Sequence, residues 1–227
     1  MISLRNVSLQ TRQRCGFWRH RSHSLLSHLT FDIPAGEVTL LAGASGCGKT
    51  LLARAILNVL PQDVKLSGRI VAPSQLAYLP QAISHLDPTA TIGRQIRRSH
   101  GKHPVLPAQL APRYPHQLSG GEAKRALIAM MPEAEAIIAD EPTAGLDPDT
   151  AAEVIGLLAQ KAAKGAAVLV ITHDLAASLP SCNRLVLLQD TSVAAIHPAT
   201  DFADPAHLSP AACAFWRAMP QNGFHHD

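Results

Sequence analysis

A glycine-rich segment in the N-terminal third of the chain has the spacing of a phosphate-binding loop. It reads Gly43-Ala-Ser-Gly-Cys-Gly-Lys49-Thr50 and matches the pattern G-x-x-x-x-G-K-[ST] at every fixed position. In such a loop the glycines let backbone N–H groups approach phosphate oxygens, and the following helix directs its positive end at the anion. The lysine contacts the β- and γ-phosphates, and the hydroxyl ligates Mg²⁺. The predicted nucleotide-binding residues are Gly43, Ala44, Ser45, Gly46, Cys47, Gly48, Lys49 and Thr50.

Two adjacent carboxylates follow an apolar run at residues 137–139. Asp140 would end a buried strand, where a carboxylate can hold Mg²⁺ through its water shell, and Glu141 would lie at the mouth of the site. Phosphoryl transfer needs one carboxylate for the metal and one for the attacking water. An isolated Asp-Glu pair can also simply terminate a strand.

The segment Leu118-Ser-Gly-Gly-Glu122 predicts a second anion site of a different kind. Ser119, Gly120 and Gly121 open a helix-like run. Their N–H groups and the serine hydroxyl can therefore bind an anion without a lysine.

Single polar residues follow two other strand-like runs. Gln81 comes after residues 76–79, and His173 comes after residues 168–171. Taken alone, a glutamine or histidine at such a place is more often a solvated loop residue, so their interpretation depends on the neighbouring motifs.

The order of these motifs resembles that of the ATP-binding cassette (ABC) ATPases. In that family a phosphate loop is followed by a signature like Leu118-Ser-Gly-Gly-Glu122 and then by a segment like Ile137-Ile-Ala-Asp140-Glu141. The chain continues as Pro142-Thr-Ala-Gly-Leu-Asp147, as the D-loop of the family does. The resemblance covers about residues 1–188, and it argues against a carboxylate pair that only ends a strand.

The resemblance implies ATP and Mg²⁺ as cofactors and a role for each matching residue. The implied catalytic residues are Glu141, His173, Gln81 and Lys49. The implied Mg²⁺ ligands are Thr50, Gln81 and Asp140, and the D-loop residue at the dimer contact is Asp147.

The resemblance also implies partners. In that family two cassettes pair head to tail, and each signature closes over the ATP that the other cassette holds. Ser119, Gly120 and Gly121 would then act in trans on a second ABC ATPase subunit, identical or paralogous. The other expected partners are integral membrane permease subunits and, indirectly, a solute-binding protein, with the chain peripheral on the cytoplasmic face of the plasma (inner) membrane.

Several segments resemble one group within the family, the ATPases of peptide, nickel and metal-chelate importers. They are Leu79-Pro-Gln81, Leu86-Asp-Pro88-Thr and Tyr114-Pro-His-Gln-Leu-Ser119, together with the insert at residues 15–28, which looks like that of nickel-importer ATPases. The predicted function is therefore ATP hydrolysis that powers import of a small solute. The alternatives are an exporter or lipid-related transporter, a soluble ABC ATPase, and a regulatory cassette without turnover.

The chain also departs from the family pattern. Residues 7–10, where an aromatic side chain usually stacks on adenine, contain none, so either Phe17 or Trp18 takes that role or stacking is weak. The Gln-Arg pair that usually follows the signature is Lys124-Arg125 here.

These residues need a particular set of elements to position them. Alternating strand-like and helix-like runs predict an α/β fold with a mostly parallel sheet. Strands are predicted at residues 2–10, 25–33, 37–42, 76–79, 136–139, 167–171, 184–188 and 193–196. Helices are predicted at residues 51–60, 91–98 and 121–131, from Pro148 to a stop at Gly165, and from about Asp174.

The expected organisation is one ABC-type P-loop NTPase domain over residues 1–227. Its parts are a small antiparallel β lobe at about 1–35 with a basic insert at 11–23, a nucleotide-binding core at 36–81 and 132–200, a helical lobe with the signature at 82–131, and a short tail at 201–227.

Composition limits the classes of protein that remain. A chain of 227 residues with 47% hydrophobic residues can bury a substantial core. No run reaches the roughly 18 uninterrupted apolar residues of a membrane span, and the N-terminus lacks the design of a signal peptide. The net charge of +3 is too small to suggest nucleic acid as the main partner.

Overall fold

The computed structural model describes residues 1–14, 20–82, 85–99, 108–173 and 175–218. Within these residues the strands are β1 Ile2–Arg14, β2 His20–Ile33, β3 Val38–Gly43, β4 Val64–Val71, β5 Leu76–Leu79, β6 Ala136–Asp140, β7 Ala167–Ile171, β8 Arg184–Gln189 and β9 Ser192–Pro198. The α-helices are α1 Lys49–Ile56, α2 Ile92–Arg98, α3 Gly120–Met130, α4 Pro148–Ala163, α5 Leu175–Ser178 and α6 Pro210–Arg217.

A six-stranded sheet forms the centre of the molecule, in the order β5-β6-β7-β3-β8-β9. The first five strands are parallel to their neighbours, and β9 runs antiparallel to β8. Every residue of β3, β6 and β7 is buried, as a parallel sheet covered on both faces requires. The predicted α/β class with a mostly parallel sheet is confirmed.

Alternate side chains of this sheet enter two apolar cores. Leu40 and Ala42 of β3 pack in one core with residues of α3 and α4, whereas Leu41 packs in the other with residues of α1, β1 and β2. Successive strand residues face opposite sides, so one unbroken apolar run serves both cores. The two layers hold the sheet on its faces and leave the ends of its strands for polar groups.

The antiparallel sheet has the order β2-β1-β4 and is larger than predicted. The insert at residues 11–23 does not interrupt the hairpin, because β1 and β2 continue pairing from Thr11 with His23 to Arg14 with His20. The expected strand ends at residues 10 and 25 are therefore corrected. Backbone hydrogen bonds between two adjacent strands do not depend on apolar side chains, so the ladder continues where the alternation of apolar residues stops.

Strand β4 was not predicted at all. Its side chains are mostly exposed, which removes the apolar alternation that marks a strand. It pairs with β1 from Ser3 with Val71 to Thr11 with Val64. Gly68 allows this approach, since a Cβ there would lie 2.2 Å from the Asn6 carbonyl oxygen. Residues 64–71, expected in the nucleotide-binding core, thus belong to the antiparallel sheet.

The starts of two helices agree with their cap residues. At α3, Ser119 and Glu122 accept hydrogen bonds from each other's backbone N–H groups, which is a capping box. At α4, Asp147 accepts the N–H of Thr150 at 3.0 Å.

One helix prediction needs correction. Helix α1 ends at Ile56, short of residue 60, because the chain turns through Asn58 at φ 57°. The helix predicted from about residue 174 is present as a single turn, α5. The span 201–227, expected to be a short tail, contains α6, which begins where Ser209 accepts the N–H of Ala212 at 3.4 Å. No helix of the described residues has the length and apolar character to cross a membrane.

Candidate functional site

The carboxyl ends of parallel strands form one edge of the central sheet, and a cleft lies at this edge. Strands β3, β5, β6 and β7 end there. The cleft has a volume of about 440 Å³ and is lined by Ser45, Gly46, Gly48, Lys49, Thr50, Leu51, Gln81, Glu141 and His173. Open α/β sheets bind ligands at this edge. The fold therefore brings together residues that were predicted from four separate segments.

The phosphate loop joins β3 to α1 through two backbone positions that favour glycine. Gly48, the residue before α1, has φ 95°, a left-handed conformation in which a side chain is strained. Gly43 passes close to β8, and a Cβ there would lie 2.5 Å from the Leu188 carbonyl oxygen. The loop backbone can thus curve at the N-terminus of α1, where helix N–H groups attract anions.

Lys49 is held by the loop that precedes it. Its Nζ donates to the carbonyl oxygens of Gly43 at 2.7 Å and Ala44 at 2.9 Å. The residue is buried, with 8% of its surface exposed, although it lines the cleft. The ammonium is a fixed positive charge at the position where the motif predicts the terminal phosphates.

Asp140 is a buried carboxylate that two hydroxyls contact. Thr50 Oγ1 donates to Oδ1 at 3.3 Å, and Tyr78 Oη donates to Oδ2 at 3.4 Å. Burial raises the pKa of Asp140, while the hydrogen bonds from Thr50 and Tyr78 oppose the rise. Carboxylate and hydroxyl oxygens are ligands that Mg²⁺ accepts, so the Thr50 and Asp140 pair fits this ion.

Tyr78 was missed by sequence analysis. It is the penultimate residue of β5, and its hydroxyl reaches Asp140 on the adjacent β6. The signal that could have found it is the parallel pairing of β5 with β6, which a single sequence does not display. A tyrosine in a strand is otherwise an ordinary residue.

Glu141 and His173 form a hydrogen-bonded pair at the mouth of the cleft. His173 Nδ1 lies 2.9 Å from Glu141 Oε2. The Glu141 side chain is 16% exposed and that of His173 is 72% exposed, so the pair spans from the interior to solvent. Glu141 has φ 47°, and its N–H donates to the Ile171 carbonyl at 2.8 Å. Backbone strain of this kind costs about 1–3 kcal/mol and is concentrated at functional sites.

The signature segment lies apart from this cleft. Ser119 and Gly120 are exposed, and neither they nor Gly121 line the cavity. Gly121 packs against α4, where a Cβ would lie 2.1 Å from Thr150 Cγ2. The role of the segment in a second cassette stays a prediction, as does the role of Asp147. The aromatic residues considered for adenine, Phe17 and Trp18, fall outside the described residues.

Comparison with known proteins identifies a matching family and several relatives. A family model described as ABC transporter matches residues 26–144, more than half of the chain. A probable peptide ABC transporter ATP-binding protein of Sinorhizobium fredii is 31% identical over 80% of this chain and 68% of its own. A zinc import ATP-binding protein of a Ruegeria species is 30% identical over 83% of this chain and 77% of its own. Two further relatives are longer proteins, of which the chain spans 46% and 41%.

A solved structure supports the fold independently. An ATP-binding cassette, captured as a dimer in a post-hydrolysis state with ADP and Pi, superposes with a TM-score of 0.66 over 88% of this chain and 99% of that one. Its identity to this chain is 23%, which makes the likeness one of fold. The family match and the relatives of 30% identity or more show that the chain belongs to the ABC transporter family, as an ATP-binding subunit of the ABC ATPase type.

Proposed function

We propose that this chain hydrolyses ATP to power an ABC importer for a small solute of the peptide, nickel or metal-chelate group. The observation that carries the proposal is the cleft in which Lys49, Thr50, Gln81, Glu141 and His173 converge. These side chains supply a phosphate ligand, metal ligands, a base and a γ-phosphate contact, which together are the parts that phosphoryl transfer needs.

Nucleotide binding rests on the phosphate loop. Backbone N–H groups of residues 43–50 and the N-terminus of α1 surround the phosphates, and Lys49 neutralises the β- and γ-phosphates. The carbonyls that accept from Lys49 belong to the same loop, so the ammonium is held at the segment that would surround the phosphates. Binding energy is thereby directed at the triphosphate.

Thr50, Asp140 and Gln81 would hold Mg²⁺. The two oxygens of Thr50 and Asp140 already lie 3.3 Å apart, and Gln81 lines the same cleft. When bound, Mg²⁺ neutralises the charge that develops on the β- and γ-phosphates. Asp140 must be ionised to bind Mg²⁺. Its burial and its hydrogen bonds set its pKa, and therefore the pH above which it is ionised.

Glu141 would act as the base for the attacking water. The water oxygen attacks the γ-phosphorus, the bond from that phosphorus to the β-phosphate oxygen breaks, and the water proton passes to the Glu141 carboxylate. The products are ADP and inorganic phosphate. His173 bonds to Glu141 and is exposed enough to contact the γ-phosphate from the open side.

The site would be completed by a second cassette. Ser119, Gly120 and Gly121 present N–H groups and a hydroxyl at the start of α3, and Ser119 and Gly120 are exposed. A helix N-terminus of this kind suits the γ-phosphate of a nucleotide held by a partner, identical or paralogous. Asp147, at the start of α4, would lie at the same contact.

The proposed setting is the cytoplasmic face of the plasma (inner) membrane, beneath permease subunits that a solute-binding protein serves. A peptide cargo is supported by the relative named as a probable peptide transporter subunit. A metal ion is the second candidate, supported by the relative named for zinc import. Cargo is recognised by other subunits in either case.

The test is ATPase activity of the chain purified from membranes with its permease. Glu141→Gln should lower turnover by about 10²–10⁴-fold, because the base is lost, and leave ATP affinity intact. The matched control is Glu153→Gln, an exposed glutamate on α4 outside the cleft. Equal loss in both variants would contradict the assignment of Glu141. Full activity without any membrane partner would contradict the transport role.

A further inference from the structure

Lys124 is a buried lysine in the residue pair that follows the signature, and it has no role in the site as described so far. It lies on α3, and 3% of its surface is exposed. Its Nζ donates to the carbonyl oxygens of Pro80 at 2.8 Å and Gln81 at 2.6 Å. No carboxylate forms an ion pair with it within the described part of the chain. Burial lowers the pKa of the ammonium, and the charge of Asp140 partly restores it.

Burial of this lysine lowers the stability of the fold if the only role of the side chain is packing. A buried ammonium loses its hydration, and two neutral carbonyls compensate less than a carboxylate would. The neighbouring residues of α3, among them Ala123, Ala126 and Leu127, are buried and apolar. A methionine would fill the same space in this core without the cost of a charge, so packing alone does not explain the lysine.

The two carbonyls belong to the segment that carries Gln81 into the cleft. Gln81 lies just beyond the end of β5 and is exposed, and Pro80 has no N–H to donate. Pro80 can therefore be anchored through its carbonyl and not through a backbone donor. Within the described residues, the bonds from Lys124 are the hydrogen bonds that hold the backbone of residues 80 and 81.

The same helix carries the signature at its start. Lys124 lies about one and a half turns after Ser119, so the two residues move together if α3 moves as a rigid unit. The bonds from Lys124 thus join the signature segment to Gln81 in space. Any displacement of α3 pulls on the carbonyls of residues 80 and 81, or breaks their bonds.

We propose that Lys124 is a positioning residue that couples α3 to Gln81, so that Gln81 reaches the metal and the attacking water only when α3 is docked. The inference rests on the proposed function, because it assigns Gln81 a role in hydrolysis. Lys124 itself touches no reacting group. Its effect is therefore expected in turnover and in the Mg²⁺ requirement, and not in nucleotide affinity.

The first test compares Lys124→Met with Lys161→Met. Lys161 is a partly buried lysine of α4 whose pKa burial also lowers, and it does not line the cleft. Lys124→Met should lower kcat by about tenfold or more and raise the Mg²⁺ concentration for half-maximal activity, with ATP affinity within about twofold of wild type. Lys161→Met should change none of these. An unchanged kcat in Lys124→Met would overturn the proposal.

A double-mutant cycle with Gln81→Ala separates coupling from stability. If Lys124 acts through Gln81, Lys124→Met should cause little further loss in the Gln81→Ala background. If Lys124 only stabilises the fold, the two losses should multiply, which would contradict the proposal. Lys124→Gln keeps a hydrogen-bond donor in its side-chain amide, and it replaces Lys124→Met in the cycle if Lys124→Met fails to fold. Its kcat should fall below wild type, and this loss should also vanish in the Gln81→Ala background.

The outcomes distinguish this inference from the proposed function. Activity retained in Glu141→Gln would remove the proposed hydrolytic mechanism itself. Activity lost in Glu141→Gln and in Gln81→Ala, but retained in Lys124→Met, would leave that mechanism in place and remove only the coupling by Lys124.

Discussion

The residues in and beside the cleft include both buried charged groups and exposed polar groups. Lys49 and Asp140 are buried, whereas Gln81 and His173 are exposed. Buried charges act strongly on a phosphate because little water screens them, and exposed groups can move as the reaction proceeds. The cost of this arrangement is visible in Asp140, whose pKa is raised by burial.

Asp140→Asn should stabilise the metal-free protein at neutral pH while it abolishes hydrolysis. The folded pKa of Asp140 is raised, so its contribution to stability is present below the unfolded pKa and is lost as pH rises through the folded pKa. Asparagine carries no charge, so over the range from acidic to neutral pH the advantage of the variant should grow with rising pH, beginning at about pH 4, and level off above the folded pKa of Asp140.

The measurement is Tm by calorimetry in EDTA over that pH range, where each kcal/mol corresponds to about 2–4 °C. Asp149→Asn is the control, since Asp149 is an exposed acid of the first turn of α4. A Tm difference for Asp140→Asn that does not depend on pH would contradict the burial argument.

Among the elements, one turn has a backbone conformation that its residue types do not favour. The turn between β8 and β9 has Asp190 at φ 47° and Thr191 at φ 72°, both left-handed. Gln189 pairs with Ser192, so the turn has two residues and the geometry in which glycine or asparagine is preferred. Thr191 tolerates this conformation because its carbonyl accepts the N–H of Ser27 at 2.8 Å.

Thr191→Gly should raise the free energy of unfolding by about 1 kcal/mol. A β-branched residue in the left-handed region is strained by roughly 1–2 kcal/mol, and glycine removes the strain at a smaller entropic cost. The bond from Thr191 Oγ1 to Ser27 Oγ, at 3.4 Å, is weak and its loss matters little. Urea unfolding measures the change. Ser192→Gly is the control and should destabilise, because Ser192 lies in β9. A loss of stability in Thr191→Gly would refute the strain argument.

At the scale of the whole molecule, the cleft and the signature are separate surfaces. The cavity at the ends of the parallel strands contains the phosphate loop, Glu141 and His173, and the exposed start of α3 lies outside it. A second cassette would place the start of its own α3 at this cavity. Association and nucleotide binding are then linked, because each ATP contacts both chains.

Ser119→Arg should prevent ATP-driven dimerisation in a Glu141→Gln background while one ATP still binds per chain. The long side chain would replace a small hydroxyl at a contact where glycines allow close approach. Light scattering with ATP measures the mass, and Ser67→Arg, an exposed serine of β4, is the control. A dimer as abundant as that of the Glu141→Gln single variant would contradict the assignment of Ser119 to the nucleotide site of a second cassette. A Glu141→Gln chain that stays monomeric would indicate a paralogous partner.

Local sequence was enough to predict the parallel sheet and the residues that lie in and beside the cleft. The sequence predicts four residues of the nucleotide site because their neighbours in the chain specify a loop, a strand and a helix N-terminus. These residues are Lys49, Thr50, Asp140 and Glu141. The rules that specify such elements are local, and buried parallel strands add apolar runs that are visible without a structure.

The features that depend on pairing between distant segments are visible only in the folded chain. Strand β4 and the long β1–β2 hairpin exist because backbones pair across the antiparallel sheet, not because their side chains alternate. Tyr78 reaches Asp140 only because β5 lies beside β6, and Lys124 reaches residues 80 and 81 only because α3 packs over that end of the sheet. Contacts of this kind join residues 43 to 62 positions apart, a distance over which local propensity carries no information.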